Sequence, residues 1–374
     1  MKKRKILAAF LTLSLCACAQ EPEEPAAELE KYTNLSADAG FDTVYQQTEF
    51  GYDHDLMAEH FNKAVSLFSQ YNALFDIYND YEGIANIKTI NDNAGIEPVK
   101  VDQRIIDMLK EAKMFYEISG GSFDITIGSL LHVWHNYRDE GIILNSQGVK
   151  APVPSMEELE EAAKHCGWDK VVIDEENSTV FITEKGVSLD VGGIAKGYAA
   201  EKIGVYMDGE DVVYATVNAG RNIRTVNAKA DGKPWVIGIV DPGDGSSTYC
   251  AVEMDGTGSF VTSGDYERYY IGEDDSLCHH IIDPDTLKPA AYYHSVSIVT
   301  PDSGAADCLS TTLFTLTVEE GKKVLEAYRE KTGNYAEAVW IMDPDQTQDE
   351  EGRLSGDYWC VWTDGISDRI TFTR

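Results

Sequence analysis

Apolar residues recur at helical spacing over residues 54–78, through Leu56, Phe61, Ala64, Leu67, Phe68, Tyr71 and Phe75, and predict the first long helix. Ile105, Ile106, Leu109 and Met114 give residues 102–119 a second apolar face. Residues 155–166 predict a third helix, in which Ser155 offers a cap and Glu157 and Glu158 place negative charge in the first turn. Further helices are expected at 194–207, 305–314 and 319–329. Short alternating runs bounded by Asp, Asn and Gly predict strands at 42–50, 170–173, 179–182, 187–190, 214–218, 235–240, 249–254, 259–262 and 295–299, with two more near Val339 and Trp359. Strands and helices do not alternate strictly, which argues against a doubly wound nucleotide fold. The pattern is α+β, with mainly antiparallel sheets and helices packed on one face.

The first residues follow a different rule. Lys2, Lys3, Arg4 and Lys5 precede an apolar run from Ile6 to Leu15, too short to span a bilayer and of the length of a secretory signal. The run ends in Leu15-Cys16-Ala17-Cys18, which resembles a bacterial lipobox and marks Cys18 as the lipidated residue. Cys16 in that role would be preceded by the bulky Leu15, so Cys18 is preferred; the plain alternative is an ordinary cleaved signal peptide. The acidic, Pro-containing stretch 20–31 reads as a solvated stalk. The expected organisation is a signal peptide over 1–17, a lipid-anchored acidic linker over 18–40 and one enzyme domain over 41–374. Such a protein is exported and held at the outer face of the cell membrane, or on its periplasmic side.

Charge narrows the choice of partners. A formal net charge of −33 argues against nucleic acid and against polybasic contact with anionic lipid. It also makes an anionic substrate harder to bind, so a phosphate ligand needs metal ions or local donors. Cys166, Cys250, Cys278, Cys308 and Cys360 are widely spaced and lack CxxC pairs, so neither a zinc site nor a disulfide framework is indicated.

Three constellations carry candidate chemistry. In 188–198 (SLDVGGIAKGY) an expected strand ends at Asp190, a Gly192-Gly193 turn follows, and a helix begins with Lys196 in its first turn. Free amides at a helix start, with a lysine beside them, suit an anion, although a Gly-Gly turn is as often only a tight turn. Asp307 and Thr311 lie four residues apart on one expected helix face, both hard oxygen donors of the type magnesium takes. On spacing alone, a solvent-facing Asp and a Thr bonded to its own helix is the commoner arrangement. His279 and His280 sit at the end of an apolar strand and point to opposite faces, so only one can enter a given site as a base.

The order of the motifs GSFDITIG, SLDVGGIAKGYAAEKI, VNAGRNI, IGIVDP, TSGDYERYY, HHIIDP and AADCLSTTLF resembles the FAD:protein FMN transferases, the ApbE-like flavin transferases, from about Thr43 to the helix beyond Thr311. The resemblance implies a T-fold-like core that binds FAD and Mg2+, cleaves the FAD pyrophosphate and joins FMN through a phosphoester to a Ser or Thr hydroxyl of another protein, releasing AMP. It implies Asp307, Thr311 and a carbonyl of the turn at Gly193 as metal ligands. It makes His280 the catalytic histidine and places Lys196 at the phosphates or in support of the metal. Thr43, Tyr45, Tyr78, Asn91, Phe123, Asp124, Thr126, Asp190, Asn218 and Ser263 match segments that line the ligand. Acceptors of the family carry a motif of the type Asp-x-x-Ser/Thr-Gly-Ala-Ser/Thr, absent from this chain, so the acceptor is another protein, expected to be a membrane or surface redox protein. An FAD pyrophosphatase on the same site, or a lipoprotein that only holds flavin, are the other readings. Two departures stand out: Arg221 replaces the second Gly of a usual Gly-Gly pair, and Leu287 replaces Gly in Pro284-Asp-Thr-Leu-Lys-Pro289. If those positions need positive φ, both residues are strained there.

Overall fold

The computed structural model describes residues 28–347 and 350–373, so the signal peptide, Cys18 and most of the acidic stalk lie outside the described residues. The chain runs β1 (Glu30–Ser36), β2 (Tyr45–Gly51), α1 (His54–Phe75), α2 (Ile87–Asp92), β3 (Val99–Lys100), α3 (Gln103–Ile118), α4 (Gly128–Ser146) and α5 (Met156–Ala163). It continues through β4 (Val171–Asp174), β5 (Thr179–Ile182), α6 (Ala195–Asp208), β6 (Tyr214–Ala219), β7 (Asn222–Val226), β8 (Trp235–Val240), β9 (Thr248–Met254) and β10 (Gly258–Gly264). It closes with β11 (Tyr270–Ile271), β12 (Leu277–Cys278), β13 (Ser295–Thr300), α7 (Ser303–Phe314), α8 (Val318–Thr332), β14 (Glu337–Met342), β15 (Arg353–Ser355), β16 (Tyr358–Trp362) and β17 (Ile370–Phe372).

Nine strands form one antiparallel sheet in the order β1-β2-β6-β7-β10-β13-β14-β16-β15. Its central strands are buried on both faces, and the period of two sorts their side chains. Val296 and Ile298 of β13, with Ala338, Trp340 and Met342 of β14, join the core under the helices. Val299, Val339 and Ile341 point the other way, into a second core closed by the three-stranded sheet β17-β9-β8. The α+β expectation therefore holds, with helices on one face of the large sheet and a small sheet on the other.

α6 and α7 lie against that large sheet and carry the chemistry. α7 is capped by Asp302, whose side chain accepts from Ala305 N, and almost every residue along it is buried. The two helices touch because Gly197 has no side chain: a Cβ there would come 2.3 Å from the Ser303 carbonyl and 2.5 Å from Asp307 Cβ. A buried ion pair locks the assembly from beneath. Arg224 of β7 donates to Glu201 of α6 at 3.0 and 3.2 Å and to Asp208 at 2.9 Å, and Glu201 in turn accepts from Ser303 N at 2.8 Å.

Several expectations are corrected here. Residues 30–36, read as part of the linker, form an edge strand paired along its length with β2. It is mostly exposed on both faces, so no apolar alternation announces it. Residues 187–190 are not a strand of any sheet; Ser188 makes one isolated bridge to Ile127, and the side chain of Asn91 stands in for a neighbouring strand. Helices α2 and α4 were not expected. In α4 only Gly128, Leu130, Trp134 and Gly141 are buried, while Ile142 and Ile143 face solvent, so the apolar stripe is blurred.

Candidate active site

Asp307 is 5 % exposed, neither solvent-facing nor stranded. Its Oδ2 accepts from Gly197 N at 2.9 Å and from Asn222 Nδ2 at 3.1 Å, and its Oδ1 has no hydrogen-bond partner among the described residues. Because the Gly197 amide is spent on Asp307, it does not donate to the Gly193 carbonyl four residues earlier, as a continuing helix would require. The Thr311 hydroxyl, one turn along α7, has no hydrogen-bond partner among the described residues, whereas that of Thr312 bonds back to the Cys308 carbonyl at 2.7 Å. A Cβ on Gly193 would lie 3.4 Å from Thr311 Oγ and 3.2 Å from the Phe123 ring, which brings that turn against the hydroxyl. One carboxylate oxygen, one hydroxyl and the Gly193 carbonyl, which the Gly197 amide does not claim, are hard oxygen donors of the kind that fits Mg2+. Among the described residues no cluster of three or more His, Cys, Asp or Glu suits a metal, so any ion held here would rest on a single carboxylate.

The two histidines are separated by their hydrogen bonds. His279 is buried, its Nε2 donates to the Ala290 carbonyl at 2.7 Å, and its Nδ1 accepts from Ile281 N at 3.2 Å. Both nitrogens are used, so His279 is structural. His280 donates from Nδ1 to the Glu267 carbonyl at 3.2 Å, which leaves the Nε2 lone pair free. Burial, followed by the electrostatic influence of His279 and of the Lys196, Arg268 and Arg138 cations, holds its pKa well below the ordinary histidine range. It is neutral at pH 7, with its Nε2 lone pair unclaimed among the described residues.

Lys196 stands in the first turn of α6, its Nζ donating to the Gly192 carbonyl at 3.2 Å. Asp190 closes the same turn by accepting from Gly192 N at 2.9 Å, and its other oxygen lies 4.0 Å from His135 Nε2. Tyr78 is 60 % exposed and meets His135 Nδ1 at 3.1 Å. Desolvation of the hydroxyl end against His135, then the charge of Asp190, raises its pKa to about 12, so it stays protonated although the rest of the side chain is exposed. Arg138 and Arg268 also act on Tyr78, which makes a local group of cations in a strongly acidic protein.

Asn218 and Thr43 flank the β6–β7 hairpin. Asn218 Oδ1 accepts from Arg221 N at 3.0 Å, and a Cβ on Gly220 would meet Thr43 Oγ at 2.3 Å. Ser263 donates to Ser310 at 2.8 Å, and Ser310 to the Asp307 carbonyl at 3.0 Å, tying the end of β10 to α7.

Other expected ligand residues serve the frame. Strand alternation turns Tyr45 inward with Gln47 and Glu49; it is fully buried and donates to Gln47 at 2.9 Å, so it does not face a ligand surface. Asn91 grips the Leu189 backbone from both sides, at 2.7 and 2.9 Å. Thr126 is fully buried, donating to Asp124 at 2.7 Å and accepting from Gly167 N at 2.8 Å. Asp124 lines a separate cavity of about 300 Å3 with Leu287 and Cys166, whose walls include none of His280, Lys196, Asp307 or Thr311. Asn222, Gly197, Arg138 and Arg268 are additions to the expected set. The first two and Arg268 stand inside motifs already singled out, whereas Arg138 rides on the unexpected α4.

Both departures adopt the strained backbone anticipated for them. Arg221 has φ +72° and Leu287 φ +62°. Arg221 turns to the Glu267 carboxylate at 2.7 Å and lies over the Tyr266 ring, 5.3 Å from its centroid.

The ApbE family profile matches residues 41–335, and the chain belongs to that family. The FAD:protein FMN transferase of Treponema pallidum (strain Nichols) is 34 % identical over 257 residues, covering 65 % of this chain and 68 % of the relative. That of Klebsiella pneumoniae (strain 342) is 30 % identical over 239 residues, covering 63 % and 70 %. Among solved structures, the ApbE protein of Thermotoga maritima superposes with a TM-score of 0.70 at 31 % identity, covering 84 % of this chain and 94 % of the other. The flavin transferase ApbE of Vibrio cholerae gives a TM-score of 0.70 at 22 % identity over 91 % of this chain and all of the other, a likeness of fold.

Proposed function

We infer that the protein is an FAD:protein FMN transferase that works with Mg2+. The observation that carries this is the free Nε2 of a neutral His280 beside Lys196, Arg138 and Arg268, on a fold whose donor set at Asp307, Thr311 and Gly193 suits a hard cation. A pure flavin carrier has no need of such a base. The FAD pyrophosphate carries two negative charges that a chain of net charge −33 repels, and these local cations offset that field where the phosphates lie. Asp307, Thr311 and the Gly193 carbonyl would hold Mg2+, which would supply charge neutralisation for the pyrophosphate and for the departing AMP. His280 takes the proton of an acceptor Ser or Thr hydroxyl at Nε2 as that oxygen attacks the FMN phosphorus, and the phosphoester forms as the bond to AMP breaks. Lys196 holds phosphate charge at the helix start.

The basic and apolar N-terminal sequence supports export and lipid attachment at Cys18, which would keep the enzyme beside acceptor proteins on the same side of the membrane. Among the described residues no helix is long and apolar enough to cross a membrane.

The test mixes purified protein, FAD, Mg2+ and an acceptor domain bearing Asp-x-x-Ser/Thr-Gly-Ala-Ser/Thr, and reads covalent flavin fluorescence in a denaturing gel. Labelling with AMP release is the expected result. AMP release without labelling would mean a hydrolase, and bound FAD without either product would mean a carrier. His280→Ala should retain FAD and lose labelling by about 10²–10⁴.

A further inference from the structure

Arg221 occupies a conformation that L side chains rarely adopt. The β6–β7 turn is tight, with Gly220 at φ +60° and Arg221 at φ +72°, between the paired residues Ala219 and Asn222. A glycine would sit there without strain, so retaining Arg needs a reason in what its side chain does. The guanidinium crosses to the 264–268 turn, where it pairs with Glu267 at 2.7 Å and lies over the Tyr266 ring. That ring is itself folded back onto Gly264, where a Cβ would come within 2.6 Å of it. The backbone carbonyl of the same Glu267 receives the Nδ1 proton of His280.

Resting on the transferase reading, we propose that Arg221 is a positioning residue: by holding Glu267 and Tyr266 it aims the Glu267 carbonyl at His280 and fixes the tautomer that leaves Nε2 free. The hairpin thereby reaches the base without touching it. His279 is occupied by Ala290 and Ile281, and among the described residues the Glu267 carbonyl is the hydrogen-bond partner of the His280 ring.

Arg221→Gly tests this cleanly, because glycine relieves the backbone and the fold should persist. The first readout is the ¹⁵N spectrum of histidine-labelled protein without FAD. The wild type should show His280 protonated on Nδ1, and Arg221→Gly and Glu267→Gln should show mixed tautomers. The second is the steady-state rate of acceptor labelling, where kcat should fall about tenfold with KM for FAD little changed. The double variant should be no worse than either single one, and Arg221→Lys should recover part of the loss. An unchanged spectrum in Arg221→Gly would overturn the proposal. So would a raised KM at constant kcat, which would make Arg221 a substrate ligand, or additive losses in the double variant. The spectrum decides the positioning role even if the wild type labels no acceptor, so the two readings fail separately.

Discussion

Gly197→Ala isolates the contact on which the site is built. In an exposed helix the change would stabilise by about 1 kcal/mol, because alanine is the better helix former. Here the new methyl would lie 2.3 Å from the Ser303 carbonyl and 2.5 Å from Asp307 Cβ, both on α7 and neither a flexible side-chain end. Ordinary contact begins near 3.4 Å, so α6 and α7 must part by roughly 1 Å. Overpacking of this kind costs about 1–3 kcal/mol, enough to cancel the propensity gain and leave a net loss of up to about 2 kcal/mol. The functional effect should be larger than the stability effect. The Gly197 amide holds Asp307 Oδ2 at 2.9 Å, and separating the helices stretches that bond and carries the carboxylate and the Thr311 hydroxyl, both on α7, away from the Gly193 turn that leads into α6. A displacement near 1 Å at a reacting centre costs about 10²-fold in rate. Urea unfolding reads the first term, and acceptor labelling at saturating FAD and Mg2+ reads the second. A variant that is more stable than the wild type and equally active would refute the view that this contact sets the metal-side geometry.

Asp307→Asn keeps an oxygen for the Gly197 amide but removes the charge; Mg2+ should then no longer raise the melting temperature in differential scanning fluorimetry, while the metal-free protein melts close to wild type. Arg224→Ala should destabilise by about 3–5 kcal/mol in urea, because Glu201 would remain buried without its cation; a loss under about 1 kcal/mol would contradict this. His294 works against burial, but hydrogen bonds and charge from Asp265 at 2.8 Å and Asp343 at 3.1 Å lift its pKa to about 8 from an ordinary 6.5. The charged form is therefore favoured by folding: its stabilisation, about 2 kcal/mol at most, is full below pH 6.5 and fades as pH rises through about 8. The gap in unfolding free energy between wild type and His294→Gln should be widest near pH 6 and close by pH 9, and a gap that grows with pH would reverse the sign.

Much of the site could be read along the chain because its residues obey local spacing. Asp307 and Thr311 share a helix face by the 3.6 period, and the burial of α7 decides what spacing alone left open. Adjacent histidines had to diverge, and the hydrogen bonds that saturate His279 leave His280 as the ring of the two with an unclaimed nitrogen among the described residues. Some residues matched to ligand-lining segments satisfy the backbone or another polar group inside the frame. Asn91 and Thr126 do this, and Tyr45 begins a buried chain through Gln47 and Glu49 to His60. Such roles depend on partners distant in sequence, Asn91 and Leu189 being 98 residues apart. Arg138 escaped notice because α4 exposes apolar residues and hides a glycine, so its periodicity is weak.

The edge strand β1 bears on how the molecule carries load. Any tension arriving through the residues before Glu30 meets the Glu30–Gly51 pair first, at the far end of a ladder that closes at Ser36–Tyr45. β1 contributes no site residue and little buried surface. It can therefore peel back pair by pair as a sacrificial strip, yielding slack while β2 and the strands beyond it stay registered. Were the chain tethered through the residues before Glu30, force would be spent at the margin of the sheet, well before it reached the β6–β7 hairpin.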